Sequence, residues 1–438
     1  MTLTPYYQDE FITLYCGDVR SILPQLPAGI AQTCPSSPPY YQLRDYGVDG
    51  QLGLEETPQE YLAKMVDVYA QVGRVLCPGG TVWVNMGDSY NGTGDRGPNI
   101  RGNGDLSYRA GGKGMSVSGL KPKDLMMMPA ELAIALRNAG WWLRSEISWY
   151  KKNPMPESVN DRPTKAHEQI YLLANALKYF YDAEAIREKA SENTHLRLSQ
   201  DLARQIGSHR AHGGSKTNGP MKAVGRLAAN GKVGVEKQNA SFESAVCLPV
   251  YTRNSRTVWD ITTQPFKEAH FAVFPMGLPT RCIKAGTSEK GQCANCGAPY
   301  VRIVEKVGET ASWNNSRFDT GKTAEHQLTR SQPKRDRTAG NRNGEGQSTL
   351  DSSVPQTATL GWKRSCQCDT DAIEPQTVLE PFAGAGTTLI AAKRLGRRSI
   401  GIELNPEYCE MIVRRIKAET AMPLFDSDHN SDQKEQTP

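Results

Sequence analysis

Apolar positions recur along the chain with two periods, and each period predicts an element where it holds. Between 58 and about 76 the residues Leu62, Met65, Tyr69, Val72 and Leu76 fall at helical spacing. Thr57 is the expected N-cap of that helix, Pro58 its first residue and Glu60 the far corner of a capping box. Short β-rich runs predict strands over 11–15, 81–85, 142–150 and 169–173, with Pro78-Gly79-Gly80 turning the chain into the second. A further helix is expected over 129–139.

The pattern is clearest near the end. A strand over 376–380, a tight loop over 381–386, a helix over 387–395 and a strand over 398–403 follow one another. Asn405-Pro406 then caps a last helix with Tyr408, Met411, Ile412 and Ile416 on one face. Such a β-α-β-α unit belongs to an α/β, doubly wound, Rossmann-like sheet. Polar stretches over 91–120 (glycine-rich) and 308–358 interrupt the pattern and read as a mobile loop and a disordered segment. The expected organisation is a first half-domain over 1–186, an insertion over 187–257 and a connecting segment over 258–290. A cysteine-bearing insertion over 291–369, a second half-domain over 370–420 and a disordered tail over 421–438 complete it.

Composition narrows the class. The 438 residues include 38% hydrophobic positions, enough for a sizeable core, while 40 glycines and 27 prolines imply long loops. No run approaches the roughly 18 apolar residues of a membrane span, and the polar N-terminus lacks a signal-peptide layout. A cytoplasmic protein with no membrane partner is expected. The net charge of +5 admits a polyanionic partner without requiring one. Ten cysteines are too scattered for a disulfide framework. Cys293 with Cys296, and Cys366 with Cys368, have the spacing to hold a structural Zn2+ in a zinc-ribbon-like insertion; four reduced thiols are the plainer alternative. Cys16, Cys77 and Cys409 read as small buried apolar residues.

Two motifs carry chemistry. In Glu380-Pro381-Phe382-Ala383-Gly384-Ala385-Gly386-Thr387-Thr388 the glycines let a ligand approach the backbone and meet the positive end of the next helix. Glu403 closes the following strand, where a carboxylate can take two ribose hydroxyls. Leu389 stands where a dinucleotide fingerprint needs its third glycine, which weakens a nicotinamide reading. Alone, the loop is equally a plain turn. Ser37-Pro38-Pro39-Tyr40 offers a hydroxyl and a rigidly held carbonyl as paired acceptors for an –NH2 group, with an aromatic face beside them. Acceptors that draw an aromatic amine towards tetrahedral geometry free its lone pair for attack on a methyl sulfonium. Alone, that tetrapeptide is more simply a proline turn.

With both motifs present, in this order, the chain resembles the amino-methyltransferases of DNA, in the permuted arrangement with the catalytic motif first. Cys16-Gly17-Asp18, the run from Tyr41 to Gly47, the run from Trp149 to Glu157 with Asp161-Arg162-Pro163 and His167-Glu168, and the segment from His270 to Pro275 extend the likeness. The resemblance implies S-adenosyl-L-methionine as cofactor, held by Gly384, Gly386 and Glu403. Phe382 would pack on it, Asp18 would assist, and Glu380, Thr387 and His270 would lie on the cofactor side. It also implies that Ser37, Pro38, Pro39 and Tyr40 act on an amino group of a base flipped out of double-stranded DNA. Ser rather than Asp at 37 leans towards cytosine N4 by the same resemblance; adenine N6 is the near alternative. Two departures stand out: Glu380 replaces the usual Asp, and Pro35 is expected to interrupt the strand before the motif. The second leaves open a zinc-containing DNA-binding protein with a defunct site. The insertion over 187–257, with Arg197, Arg204, Arg210, Lys216 and Lys222 among its charges, reads as a target-recognition region or as a solvated loop. A cognate restriction endonuclease is an expected partner.

Overall fold

Strands and helices alternate as the two apolar periods require, and the computed structural model describes residues 3–92, 119–154, 156–189, 252–263, 275–307 and 356–421. In chain order the elements are β1 (Tyr7–Gln8), β2 (Ile12–Cys16), α1 (Val19–Ile22), β3 (Ala31–Ser36), α2 (Pro58–Val75), β4 (Leu76–Met86), α3 (Met128–Asn138), β5 (Trp142–Tyr150), β6 (His167–Ala174), β7 (Glu188–Lys189) and β8 (Thr252–Arg253). There follow β9 (Val258–Asp260), α4 (Gly277–Gly286), β10 (Gln292–Cys293), β11 (Tyr300–Val307), β12 (Gln356–Arg364), β13 (Ile373–Glu374), β14 (Thr377–Glu380), α5 (Thr387–Arg394), β15 (Arg398–Glu403) and α6 (Pro406–Ala421). The chain forms two compact units. Met1–Ile186, Asn254–Ile303 and Gly361–Pro438 make the first; Arg187–Arg253 and Val304–Leu360 make the second. In the second, β7 pairs with β8 and Arg253 meets Glu188 at 3.3 Å. Among the described residues no helix is long and apolar enough to cross a membrane.

The first unit is built on a nine-stranded, mostly parallel sheet in the order β1-β2-β15-β14-β3-β4-β6-β5-β9. Both faces are covered, which explains the unbroken burial of β4 from Gly80 to Met86. Val82, Val84 and Met86 join a core with Tyr61, Met65 and Val72 of α2. Trp83, between them, points into another core with Trp259 and Leu278. Ile12 and Leu14 pack with Leu389, Ile412 and Ile416 of α5 and α6.

Thr57 caps α2 as its sequence implies, its hydroxyl accepting from Glu60 N at 3.2 Å. Two expectations need correction. Pro78-Gly79-Gly80 does not precede β4 but lies inside it: pairing with β3 passes from Ala31↔Leu76 to Thr33↔Thr81, so the triplet bulges out. Asn175 secures that bulge, accepting from Gly79 N and donating to Cys77 O, both at 2.9 Å. Nor does Pro35 interrupt its strand, since β3 runs through Pro35↔Trp83 to Ser36↔Val84. On its other side β3 pairs with β14 only at Thr33↔Val378. The missing N–H is therefore placed where the two central strands already part, and no ladder is broken. Of the three cysteines read as small buried residues, Cys409 is buried, whereas Cys16 and Cys77 are only partly so.

Candidate active site at the switch point of the sheet

From β14 the chain crosses through α5 to β15 on one side, and from β3 through α2 to β4 on the other. The junction of β3 and β14 is thus the point where the winding reverses, and ligands of such sheets bind beyond the strand ends there. Both sequence motifs leave the sheet at this junction: Ser37 follows β3 and Pro381 follows β14.

In the glycine turn, Gly384 (φ 53°) and Gly386 (φ 72°) adopt left-handed backbone that β-carbon-bearing residues resist. Gly386 is also the N-cap of α5, and a Cβ there would lie 2.9 Å from Cγ2 of the buried Ile412. Glu380 faces into the turn rather than out of it: its carboxylate accepts from Phe382 N at 3.1 Å and Thr388 Oγ1 at 2.8 Å. Burial pushes its pKa up to about 8. Glu403 ends the neighbouring β15 and accepts from Gly384 N at 2.7 Å and Asn405 N at 2.9 Å. Burial raises it to about 7. Thr387 Oγ1, in the first turn of α5, is buried without a hydrogen-bond partner. Asp18 caps α1 and holds Arg20 at 2.6 Å. Burial favours its protonation, but the hydrogen bonds and charge of Arg20 outweigh that and keep it below its ordinary range.

The tetrapeptide is held from below and from the side. Tyr61 of α2 donates to Pro39 O at 2.8 Å. Tyr40 donates to Glu168 Oε2 at 2.8 Å and accepts from Asn85 Nδ2 at 2.8 Å; Ser37 Oγ reaches the same phenol oxygen at 3.4 Å. Asn85 also donates to Glu168 at 2.9 Å, and Lys151 closes the group on Glu168 Oε1. Burial alone would protonate Glu168, yet Lys151 and the donated bonds hold it below its ordinary range. Burial and that nearby charge push the Tyr40 hydroxyl well above its own, so it remains a donor. With both amide hydrogens of Asn85 committed, its Oδ1 is left buried and unpaired.

The two motifs are joined through the segment after the tetrapeptide. Tyr46 meets Tyr408 edge-on at 6.4 Å and packs in one cluster with Ala385 of the glycine turn and Met411. The Arg44 charge acts on Tyr40 and on Tyr408 alike, and its Nε is buried without a partner. Arg44, Lys151 and Glu168 lie in runs that extend the family likeness, without a role for any one of them, whereas Asn85 lies in no motif and is identified by its buried hydrogen bonding. Cys293, Cys296, Cys366 and Cys368 do converge, their sulfurs all within 4.8 Å of one another. His270 and nearly all of 187–257 lie outside the described residues.

The model of a family described as DNA methylase matches residues 31–294 and 372–414, a span that holds both motifs. The type II methyltransferase M.Cfr9I of Citrobacter freundii is 31% identical over 93% of this chain and 88% of its own length. The type II methyltransferase M.SmaI of Serratia marcescens is 30% identical over 91% of this chain and 89% of its own. Among solved structures, the PvuII DNA methyltransferase (cytosine-N4-specific) is 14% identical with a TM-score of 0.47, covering 97% of this chain and 90% of that one. The chain therefore belongs to the N6/N4 DNA methylase family and is a DNA methyltransferase.

Proposed function

We propose that this chain transfers a methyl group to the N4 amino group of cytosine in double-stranded DNA, as the modification half of a restriction-modification pair. S-adenosyl-L-methionine supplies an electrophilic methyl on a sulfonium. The observation that carries the reading is the junction of β3 and β14, where the amine-directed tetrapeptide and the glycine turn leave adjacent strands and meet through Tyr46, Ala385 and Tyr408. The fit to an adenosine-bearing cofactor rests on the left-handed glycines, the unpaired Thr387 hydroxyl and the Glu403 carboxylate at the end of β15. Glu403 would exchange its bond to Gly384 for ribose hydroxyls, and Phe382 would pack on the cofactor. Glu380, engaged by Phe382 N and Thr388, would shape the turn on the cofactor side.

Ser37 Oγ and Pro38 O would accept the two amino hydrogens and turn the lone pair towards the methyl. Tyr40, fixed at its hydroxyl end by Glu168 and Asn85, would present its ring to the extruded base. The unpaired Asn85 Oδ1 is a further acceptor for a base edge. Because Pro35 leaves β3 intact up to Ser36, the strand gives no ground for a defunct site. The choice of cytosine rests on Ser37; the type II names of the relatives support the restriction-modification role. Incubating the enzyme with mixed-sequence DNA and labelled donor, digesting to nucleosides and separating them tests it. N4-methyl-deoxycytidine is expected, and label found only in N6-methyl-deoxyadenosine would overturn the cytosine assignment.

A further inference from the structure

Four cysteines stand outside the methyl-transfer chemistry, in two pairs far apart in the chain yet with all four sulfurs inside 4.8 Å. Cysteines that merely fill a core are buried. Here only Cys293 is; Cys366 and Cys368 are partly exposed and Cys296 is exposed, so apolar packing does not explain the convergence. The local backbone is shaped around them. Gly297 (φ 70°) turns the chain back, its N–H donating to Cys293 O at 2.9 Å, and Cys293 N donates to Ala298 O at 2.9 Å. Across the β10–β13 ribbon Cys293 faces Ile373, and Ala294 N donates to Ala372 O at 3.0 Å. Asn295 Nδ2 donates to Cys368 Sγ at 3.4 Å, and Arg364 grips the backbone carbonyls of Cys368 and Thr370.

We propose that these four residues, as thiolates, bind one Zn2+ in a closed structural site. A tetrahedron with Zn–S bonds of about 2.3 Å has edges of about 3.8 Å, so the sulfurs need to close in by no more than about 1 Å. Sulfur ligands select against magnesium and calcium. Four protein ligands leave no position for a reacting group, and loading releases the thiol protons to solvent. The consequence is mechanical. Gln292, beside Cys293, accepts from Gln32 Nε2 of β3 at 2.7 Å, and Gln32 Oε1 accepts from Thr377 N of β14 at 2.6 Å. Two hydrogen bonds thus connect the cysteine knuckle to the entry ends of the two strands whose exit ends bear the catalytic motif and the glycine turn. The metal holds those entry ends together and stays out of the reaction.

The experiment is elemental analysis of the full-length chain, prepared without a histidine tag or chelator, together with alkylation of its thiols before and after metal removal. One zinc per chain is expected, with four thiols that become reactive only when the metal leaves. Cys296→Ser and Cys368→Ser should lose the zinc, while Cys77→Ser keeps it. Chelator-stripped wild type should unfold at a lower temperature yet retain its affinity for S-adenosyl-L-methionine to within a few-fold. Iron in place of zinc, disulfides among the four, or metal-free wild type after growth with added zinc would overturn the proposal. So would zinc removal that leaves the unfolding temperature unchanged. None of these outcomes depends on methyl transfer, so the site can fail without the proposed activity failing, and the reverse.

Discussion

The hydroxyl of Tyr40 lies 2.8 Å from Oε2 of Glu168, which is 128 positions further along the chain, and this contact fixes the one aromatic ring in the tetrapeptide Ser37–Tyr40. Its polarity is settled by charge. Glu168 stays ionised beside Lys151, so Tyr40 must donate. The hydroxyl end is pinned, and the ring itself packs against the core on the α2 side of the sheet.

Replacing Glu168 by Gln removes the charge that Lys151 needs and leaves that ammonium largely buried without a counter-ion. Breaking a buried pair in this way costs about 3 kcal/mol of stability. A loosened ring should lower the turnover rate by about 10²-fold, the scale of a 1 Å misplacement. Binding of S-adenosyl-L-methionine should be unchanged, because the network lies on the base side. Adding Lys151→Met to Glu168→Gln should return much of the stability but little of the rate. Denaturant melts and single-turnover methyl transfer on the four proteins of this cycle would check it. Equal recovery of both would mean the network serves folding alone.

Gly87 provides a test without charge. A Cβ at this position would fall 2.8 Å from Cε2 of Tyr40 and 3.4 Å from the Glu168 carboxyl. Gly87→Ala should therefore push the ring off its place and reduce turnover by about 10-fold to 10²-fold while cofactor affinity holds. Fluorescence of 2-aminopurine at the target base would report whether the base still leaves the stack. Wild-type turnover in Gly87→Ala would show that the ring has slack at that edge.

What the sequence discloses, and what it hides, follows from how each residue acts. The glycine turn and the tetrapeptide are legible because they act through backbone conformation and through neighbours in sequence: Gly386 permits the left-handed backbone the turn adopts, and Pro39 is rigid wherever it occurs. The strands and helices around them are legible because each buries a face with its own period. Glu168, Asn85 and Lys151 act together only across the sheet, through β4, β6 and β5 laid side by side, so no local pattern discloses their partnership, although Lys151 and Glu168 stand in runs that share the family likeness. Pro35 misleads for the same reason. It threatens a strand only if a neighbour needs its N–H, and that depends on where β14 stops pairing. Glu380 stands on the cofactor side of the motif by resemblance, and its bonds from Phe382 N and Thr388 Oγ1 are visible only once the turn is folded.

Gly386→Ala should destabilise the fold more than it disturbs chemistry. The new Cβ would carry the left-handed conformational cost of about 1–2 kcal/mol and would also press on Ile412 from 2.9 Å. Overpacking adds about 1–3 kcal/mol. Relative to Ile412→Ala, which removes both pressing atoms, Cγ1 and Cγ2, Gly386→Ala/Ile412→Ala should lose only the conformational part. Urea melts of these variants would separate the contributions, and a loss under about 1 kcal/mol in Gly386→Ala alone would show the turn to be more compliant than its backbone implies.

Cofactor affinity should depend on pH through Glu403. An ionised carboxylate is the better acceptor for two hydroxyls, and burial raises this one from 4.5 to about 7. Binding of S-adenosyl-L-methionine should therefore tighten as pH rises through about 7. Stability of the ligand-free protein should move the other way. A carboxyl whose folded pKa lies above its unfolded one binds the proton more tightly when folded, so its contribution is complete below the unfolded value and is lost as pH rises to the folded one. For Glu403 that window runs from 4.5 to about 7, and for Glu380 from 4.5 to about 8. Calorimetric titration of the cofactor across this range, on wild type and Glu403→Gln, would test the first half; thermal melts of the same proteins without cofactor would test the second. Glu403→Gln should bind more weakly above pH about 7 and lose most of the pH dependence of binding. A wild-type affinity that is flat across the range would show that Glu403 is ionised throughout, held so by the Gly384 and Asn405 amides.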